Sequence, residues 1–148
     1  MPSRRARGLA LAAAALAVLA WALLFRSRPA RGPQPVAWDR VACAWCRMLV
    51  GQPAFAAQLL PERGEALFFD DPGCLLSYQR AHRPRVREAW FHHLREQRWV
   101  EREDAAFLRA GPTPMGYGLG AVDRGTPGAI SVDDAARAVD EVNRGRAP

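Results

Sequence analysis

The stretch that decides the fold is ALFFDDPGCLLSYQRAH, residues 66–82. It opens with a short apolar run, Ala66–Phe69, which predicts a β-strand. Asp71 then suits the N-cap of a helix, and Pro72 suits its first position. The residues that follow continue this helix to about His82. A strand followed at once by a capped helix predicts a mixed α and β fold.

A similar signal recurs near the end of the chain. Ser131 is a favourable N-cap, and Asp134 stands three residues later, close to a capping box. Gly145 is expected to end this helix. Because each half offers a strand, an acidic helix start and a helix, we hypothesise an internal duplication with repeats at about residues 41–95 and 96–148.

The middle of the chain predicts short elements. Val86–Leu94 and Trp99–Val100 indicate strands, Ala105–Leu108 a helical turn, and Gly116–Val122 a glycine-rich strand or extended loop. Residues 80–98 are rich in Arg and His, which is typical of a solvated face. All three histidines lie there: His82, His92 and His93.

Charge is distributed very unevenly along the chain. All 21 basic residues are arginine, and the formal net charge is +6. Six arginines precede residue 32, where there is no acidic residue, and the rest of the chain is neutral overall. A neutral domain lacks the field that nucleic-acid binding usually requires, so we expect no nucleic-acid partner.

The N-terminus predicts a membrane anchor. The apolar run Leu9–Phe25 is flanked on both sides by arginines. It falls within the range for a transmembrane helix, about 17–25 residues, and exceeds the usual signal-peptide core of about 7–15. We therefore expect residues 1–31 to be an uncleaved anchor and residues 32–40 a tether. A cleaved signal, which would release the domain into the periplasm, is the alternative.

Cys43-Ala44-Trp45-Cys46-Arg47-Met48 is the first of three clusters with chemical potential. Two thiols separated by two residues converge on one metal ion or form one disulfide, so metal and redox interpretations are both open. A thioether at Met48 favours a soft ion such as Cu(I), which accepts sulfur ligands readily. Core packing is the common alternative role of a methionine.

Two further clusters follow. Phe69-Asp70-Asp71-Pro72-Gly73-Cys74 adds a third cysteine, for which simple burial is the alternative to ligation. Thr113-Pro114-Met115-Gly116-Tyr117-Gly118 fixes a methionine in a loop rich in proline and glycine. The initiator aside, Met48 and Met115 are the chain's methionines, and both lie in these motifs.

Together, the order and spacing of these motifs resemble the NosL family of copper-binding accessory proteins for nitrous oxide reductase maturation. The resemblance covers about residues 41–122 and implies an α+β fold of two small repeats, here behind an N-terminal transmembrane helix. It also implies a Cu(I) site of Cys and Met sulfur, with a possible His nitrogen, and a periplasmic domain. NosL proteins are typically lipoproteins, whereas this chain has no acylated cysteine and carries an apolar run instead.

The resemblance gives a non-catalytic, membrane-tethered Cu(I) metallochaperone as the expected function. Its partner would be copper-accepting maturation machinery or an apo copper enzyme, with nitrous oxide reductase the expected recipient. The expected metal ligands are, in order, Cys46, Met48, Met115, Cys43 and Cys74. Two other functions remain open: a thiol–disulfide oxidoreductase using Cys43 and Cys46, and a structural zinc module using Cys43, Cys46, Cys74 and His82.

Overall fold

The computed structural model describes residues 13–22 and 31–146. The chain divides into two compact units, residues 1–30 and residues 31–148. In the first unit, residues 13–22 are helical, and the rest of the predicted run Leu9–Phe25 lies outside the described residues. None of the described helices combines the length and apolar character that a membrane span requires.

The second unit combines antiparallel sheets with two α-helices, which confirms the α+β class. One sheet has four strands in the order β2-β1-β3-β4, and β5 pairs with β6 in a separate ladder. In chain order the elements are β1 (Ala57–Pro61), β2 (Leu67–Phe69), α1 (Pro72–His82), β3 (Val86–His92), β4 (Trp99–Glu101), β5 (Ala105–Arg109), β6 (Leu119–Asp123) and α2 (Val132–Arg146).

The strand-to-helix junction forms as its sequence predicts. β2 ends at Phe69, and the Asp71 carboxylate caps α1 by accepting a hydrogen bond from the Gly73 amide, 2.8 Å. The helix ends at His82, because Arg83 adopts the left-handed backbone conformation at φ 45°. This junction places the first turn of α1 beside the end of β2.

β1 has no counterpart among the predicted strands, although it is central to the larger sheet. Its residues are buried on both faces, so they lack the alternation of a half-buried strand. Gln58 interrupts the apolar pattern and is itself fully buried. Its side-chain amide exchanges two hydrogen bonds with the backbone of Gln34, at 2.7 and 3.1 Å, which satisfies its polar atoms.

The segment predicted as a tether contacts this sheet. Besides the Gln34 pairing with Gln58, the Gly32 amide donates to the Glu88 carboxylate on β3, 2.7 Å. Residues 32–34 therefore run along the domain surface.

The prediction of a helical turn at Ala105–Leu108 is wrong, because these residues belong to β5. Phe107 is fully buried and packs edge-on against Phe91 of β3, with ring centroids 4.9 Å apart. This contact joins the β5–β6 ladder to the larger sheet in one core. A tertiary contact of this kind leaves no local periodic signal.

The second helix begins as predicted and ends slightly later. The Ser131 hydroxyl accepts the Asp134 amide at 3.1 Å and donates to the Asp134 carboxylate at 2.6 Å. Gly145 does not stop α2, which continues to Arg146, the last described residue. α2 packs against α1, so residues from both halves of the chain meet.

Candidate metal centre

A tight hairpin loop carries Cys43 and Cys46. Ala42 and Leu49 form an antiparallel bridge at its base. Across the loop, the Cys43 amide donates to the Met48 carbonyl oxygen, 2.7 Å. These backbone bonds hold the two thiols of the Cys-x-x-Cys motif in one short turn.

Cys74 joins them from the first turn of α1. Its amide donates to the Asp71 carbonyl oxygen, 2.9 Å, in the capped helix start. The hairpin loop is attached to the same region, because the Ala44 amide donates to the carbonyl oxygen of Phe68 in β2, 2.8 Å. Since β2 leads directly into α1, this bond brings the loop cysteines next to Cys74.

The three sulfur atoms form one cluster. The Sγ atoms of Cys43, Cys46 and Cys74 all lie within 4.8 Å of one another, and all three cysteines are free. Sulfurs bound to one ion at about 2.3 Å are at most about 4.6 Å apart, so this spacing is close to that of a metal site. Cys43 and Cys74 are fully buried, whereas Cys46 is partly exposed. We call these three residues the cysteine cluster.

The three thiols differ in their affinity for protons. The Cys74 thiol donates a hydrogen bond to the Cys43 sulfur, and mainly for this reason the pKa of Cys43 falls to about 5 despite its burial. The same bond, together with burial, raises the pKa of Cys74. Burial also raises the pKa of Cys46. These shifts favour the thiolate form at Cys43 and the thiol form at Cys46 and Cys74, which a metal ion would deprotonate on binding.

Two buried aspartates next to the cluster accept hydrogen bonds from backbone amides. Asp70 accepts a hydrogen bond from the Gly51 amide, 3.0 Å, and thereby holds the residue that follows the hairpin loop. Asp71 accepts the Gly73 amide with one oxygen and the Met115 amide with the other, at 2.8 and 3.1 Å. Burial raises the pKa of both carboxyl groups. Asp71 thus joins the helix that carries Cys74 to the methionine loop.

Glycines shape the loop at residues 113–118. Gly116 and Gly118 have positive φ angles of 67° and 70°, a conformation that side chains with a β-carbon rarely adopt. Thr113 closes the loop, because its carbonyl oxygen accepts the Gly116 amide at 3.0 Å and its hydroxyl accepts the Gly118 amide at 3.2 Å. The motif therefore specifies one compact loop that presents Met115 to the start of α1.

Tyr117 connects this loop to both helices through hydrogen bonds. Its hydroxyl donates to the Asn143 side-chain oxygen on α2, 2.8 Å, and lies 3.3 Å from the Ser77 hydroxyl on α1. The Asn143 amide donates to Ser77 at 2.8 Å, which closes a triangle of hydrogen bonds. The Arg146 guanidinium stacks over the Tyr117 ring, with its Cζ atom 4.8 Å from the ring centroid. Ser77 and Asn143 could not be predicted from the sequence, because their roles depend on contacts between the halves of the chain.

Comparison with known proteins supports the fold seen here. No family model and no curated protein matches the chain. Among solved structures, the copper chaperone NosL from Shewanella denitrificans matches 77% of this chain and 89% of its own, with a TM-score of 0.51 and 18% sequence identity. This chain has the NosL fold. The expected structural resemblance is therefore confirmed.

Within this NosL fold, the five predicted ligands occupy different settings. The cysteines converge, and Cys74, ranked last from the sequence, is fully buried within the cluster. Met48 lies two residues beyond Cys46 and is 55% exposed. Met115 is partly buried against the core, and its backbone is fixed by Asp71. Ligation by the two methionines stays a prediction.

The histidines lie outside the cysteine cluster. His82 packs against Tyr78 and Trp45, with ring centroids 4.4 and 6.2 Å away, and it is not among the clustered ligand atoms found in the described residues. The prediction of a solvated face is wrong for His92 and His93, which are both buried. Burial lowers the pKa of His92. The zinc arrangement with His82 thus lacks its fourth ligand in this geometry.

Proposed function

We propose that this protein is a Cu(I)-binding metallochaperone that holds one ion in the cysteine cluster. The observation that carries this proposal is the convergence of three free thiols within 4.8 Å. The NosL fold supports it, since the matching solved structure is that of a copper chaperone. The same support leads us to propose that the protein performs no catalysis.

The ligand set favours Cu(I) over Zn(II). Structural zinc sites are almost always four-coordinate, whereas this cluster offers three sulfurs and no fourth His, Cys, Asp or Glu ligand among the described residues. Thiolates and thioethers are soft donors that select Cu(I). We therefore assign the ion to Cys43, Cys46 and Cys74, with Met48 and Met115 as the expected thioether partners during loading and release.

The three cysteines differ in solvent exposure, and this difference provides a route for transfer of the ion to a recipient. Cys43 and Cys74 are buried, whereas Cys46 is partly exposed. The exposed Met48 lies two residues after Cys46. An incoming sulfur ligand from a recipient protein would reach the ion at the Cys46 edge and replace that thiolate first. Ligand exchange then moves the ion without leaving it free in solution.

The lowered pKa of Cys43 is the feature that favours the oxidoreductase alternative. A nucleophilic cysteine must also reach its substrate, and reactive cysteines are partly exposed thiolates. Here the cysteine with the lowered pKa is the fully buried Cys43, whereas the more exposed Cys46 has a raised pKa. This arrangement suits metal binding better than attack on a disulfide.

The cellular setting of the proposal rests on the sequence. The apolar run Leu9–Phe25 with its flanking arginines supports a single anchor that holds the domain at the periplasmic face of the membrane. The recipient would then be copper-accepting maturation machinery or an apo copper enzyme. Nitrous oxide reductase is the enzyme that we propose first. Resistance of the full-length protein to carbonate extraction would support the anchor, and a mature N-terminus within or after the run Leu9–Phe25 would reject it.

A competition experiment tests the proposed metal. The full-length protein, reduced and kept anaerobic, is titrated with Cu(I) against a chromophoric Cu(I) chelator and separately with Zn(II) against a Zn(II) chelator. We expect one Cu(I) per chain and a strong preference for Cu(I). Binding of Zn(II) as tightly as Cu(I) would support the structural zinc function instead.

A further inference from the structure

A cationic groove lies beside the cysteine cluster. It runs between α1 and α2 and has a volume of about 580 Å³. Clefts of about 300–1,000 Å³ are typical of ligand-binding sites. The residues that line it and carry the argument are Trp45, Ser77, Arg80, Asp140, Asn143 and Arg144.

Arginines dominate the charge of this groove. Arg80, Arg144 and Arg146 line it, against the single carboxylate of Asp140. Arg80 contacts Asp140 at 3.5 Å and keeps 73% of its side chain exposed. Arg144 is exposed and has no ion-pair partner among the described residues. Because residues 32–148 are neutral overall, this concentration of guanidinium groups is a local feature.

The groove is fixed in position by its neighbours. The Arg146 guanidinium covers the Tyr117 ring and donates to the Met115 carbonyl oxygen, 2.7 Å. Ser77 and Asn143 are held in the hydrogen-bond triangle with Tyr117.

The groove shares a residue with the metal-binding loop. Trp45 lines the groove and lies between Cys43 and Cys46 in the sequence. On α1, Ser77 follows Cys74 by three residues, about one helical turn. A chain lying in the groove would thus pass close to the partly exposed Cys46.

We propose that this groove binds an acidic segment, rich in Asp and Glu, of the protein that receives the ion. This inference rests on the proposed chaperone function. Guanidinium groups bind carboxylates through paired charge-assisted hydrogen bonds. Arg144 is exposed, and Arg80 stays largely exposed beside Asp140, so both guanidinium groups are accessible to a carboxylate. Docking of the acidic segment brings the partner's metal ligands to the Cys46 edge, where exchange begins.

The test measures peptide binding to metal-free, full-length protein, so that it does not depend on copper. The probe is an N-acetylated hexaglutamate peptide, and binding is followed by isothermal titration calorimetry at low and at physiological ionic strength. We expect saturable binding whose affinity falls at least about tenfold at the higher salt concentration, because salt screens the attraction between arginine and glutamate. Absence of saturable binding at low salt would overturn the proposal.

Matched variants locate the interaction. Arg80→Gln/Arg144→Gln removes two charges from the groove, and Arg63→Gln/Arg95→Gln removes two exposed charges elsewhere. We expect the groove variant to bind the peptide at least about fivefold more weakly and the control variant to match the parent, with circular dichroism confirming that both are folded. Equal weakening in both variants, or equally tight binding of inorganic phosphate, would overturn the proposal.

Cu(I) titration of the same variants separates the two hypotheses. We expect both variants to bind Cu(I) like the parent, because the groove arginines are not ligands. Loss of peptide binding with intact Cu(I) binding in the groove variant supports the docking site. Failure of the parent to bind Cu(I) would refute the chaperone function, whereas failure to bind the peptide alone would refute only the groove.

Discussion

Tyr117 lies directly on Gly73, so closely that a β-carbon at Gly73 would stand 2.2 Å from Cγ of the tyrosine ring. This contact joins the loop of Met115 to the helix turn of Cys74. A glycine is therefore required at this point of the Phe-Asp-Asp-Pro-Gly-Cys motif because of packing against a residue 44 positions away in the sequence.

The substitution Gly73→Ala should destabilise the domain. The added methyl group forces the Tyr117 ring or the helix start to move, and overpacking of this kind typically costs about 1–3 kcal/mol. Urea unfolding followed by circular dichroism measures the change. Gly145→Ala is the control, since a β-carbon there meets nothing within 4 Å and alanine favours a helix. Equal stabilities of the two variants would contradict the contact.

The hydroxyl of Tyr117 should contribute separately from its ring. Tyr117→Phe keeps the packing on Gly73 but removes the hydrogen bond to Asn143, and we expect a loss of about 0.5–1.5 kcal/mol. Tyr78→Phe provides the comparison, because the Tyr78 hydroxyl makes no hydrogen bond within residues 13–22 and 31–146. If the two substitutions reduce the free energy of unfolding equally, the hydrogen-bond triangle does not stabilise the domain.

The acid–base state of the cluster gives a spectroscopic prediction. The pKa of Cys43 falls from 9.0 to about 5, so the metal-free reduced protein should show one thiolate by ultraviolet absorbance at pH 7. That absorbance should disappear as the pH falls through about 5. Cys43→Ser should abolish the step, whereas Cys46→Ser should retain it. A first thiolate that appears only above pH 8 in the parent would contradict the hydrogen bond from Cys74.

Met115 offers a test of the thioether ligand. Met115→Leu preserves apolar volume, and such exchanges usually cost less than about 1.5 kcal/mol in stability. If Met115 binds the ion, the Cu(I) affinity should fall at least about tenfold, equivalent to roughly 1.4 kcal/mol, while the fold persists. A folded variant with the affinity of the parent would exclude Met115 from the site.

Local signals predicted the elements on which the site depends, and tertiary contacts supplied the rest. Asp71, Pro72 and Ser131 act at helix starts through neighbouring residues, so their roles were evident from the sequence. The convergence of Cys74 with the hairpin loop depends on the bond between Ala44 and Phe68, which no local pattern encodes. Cys74 therefore ranked last as a ligand, because burial is the more common role of a single cysteine.

Tertiary contacts also explain why β1 and β5 were not predicted as strands. β1 is buried on both faces and contains a buried glutamine, and β5 is defined by the packing of Phe107 on Phe91. Neither feature produces the alternation that identifies a strand from sequence. The groove arginines, too, come together only because α1 and α2 pack side by side.

X-ray absorption at the copper edge, on reduced protein loaded with one equivalent of Cu(I), tests the three-thiolate site. We expect a sulfur-dominated shell that includes the thiolates of Cys43, Cys46 and Cys74, and one fewer sulfur neighbour in the Cys74→Ser variant. A shell dominated by nitrogen or oxygen, or an unchanged sulfur count in a folded Cys74→Ser variant, would contradict the three-thiolate site.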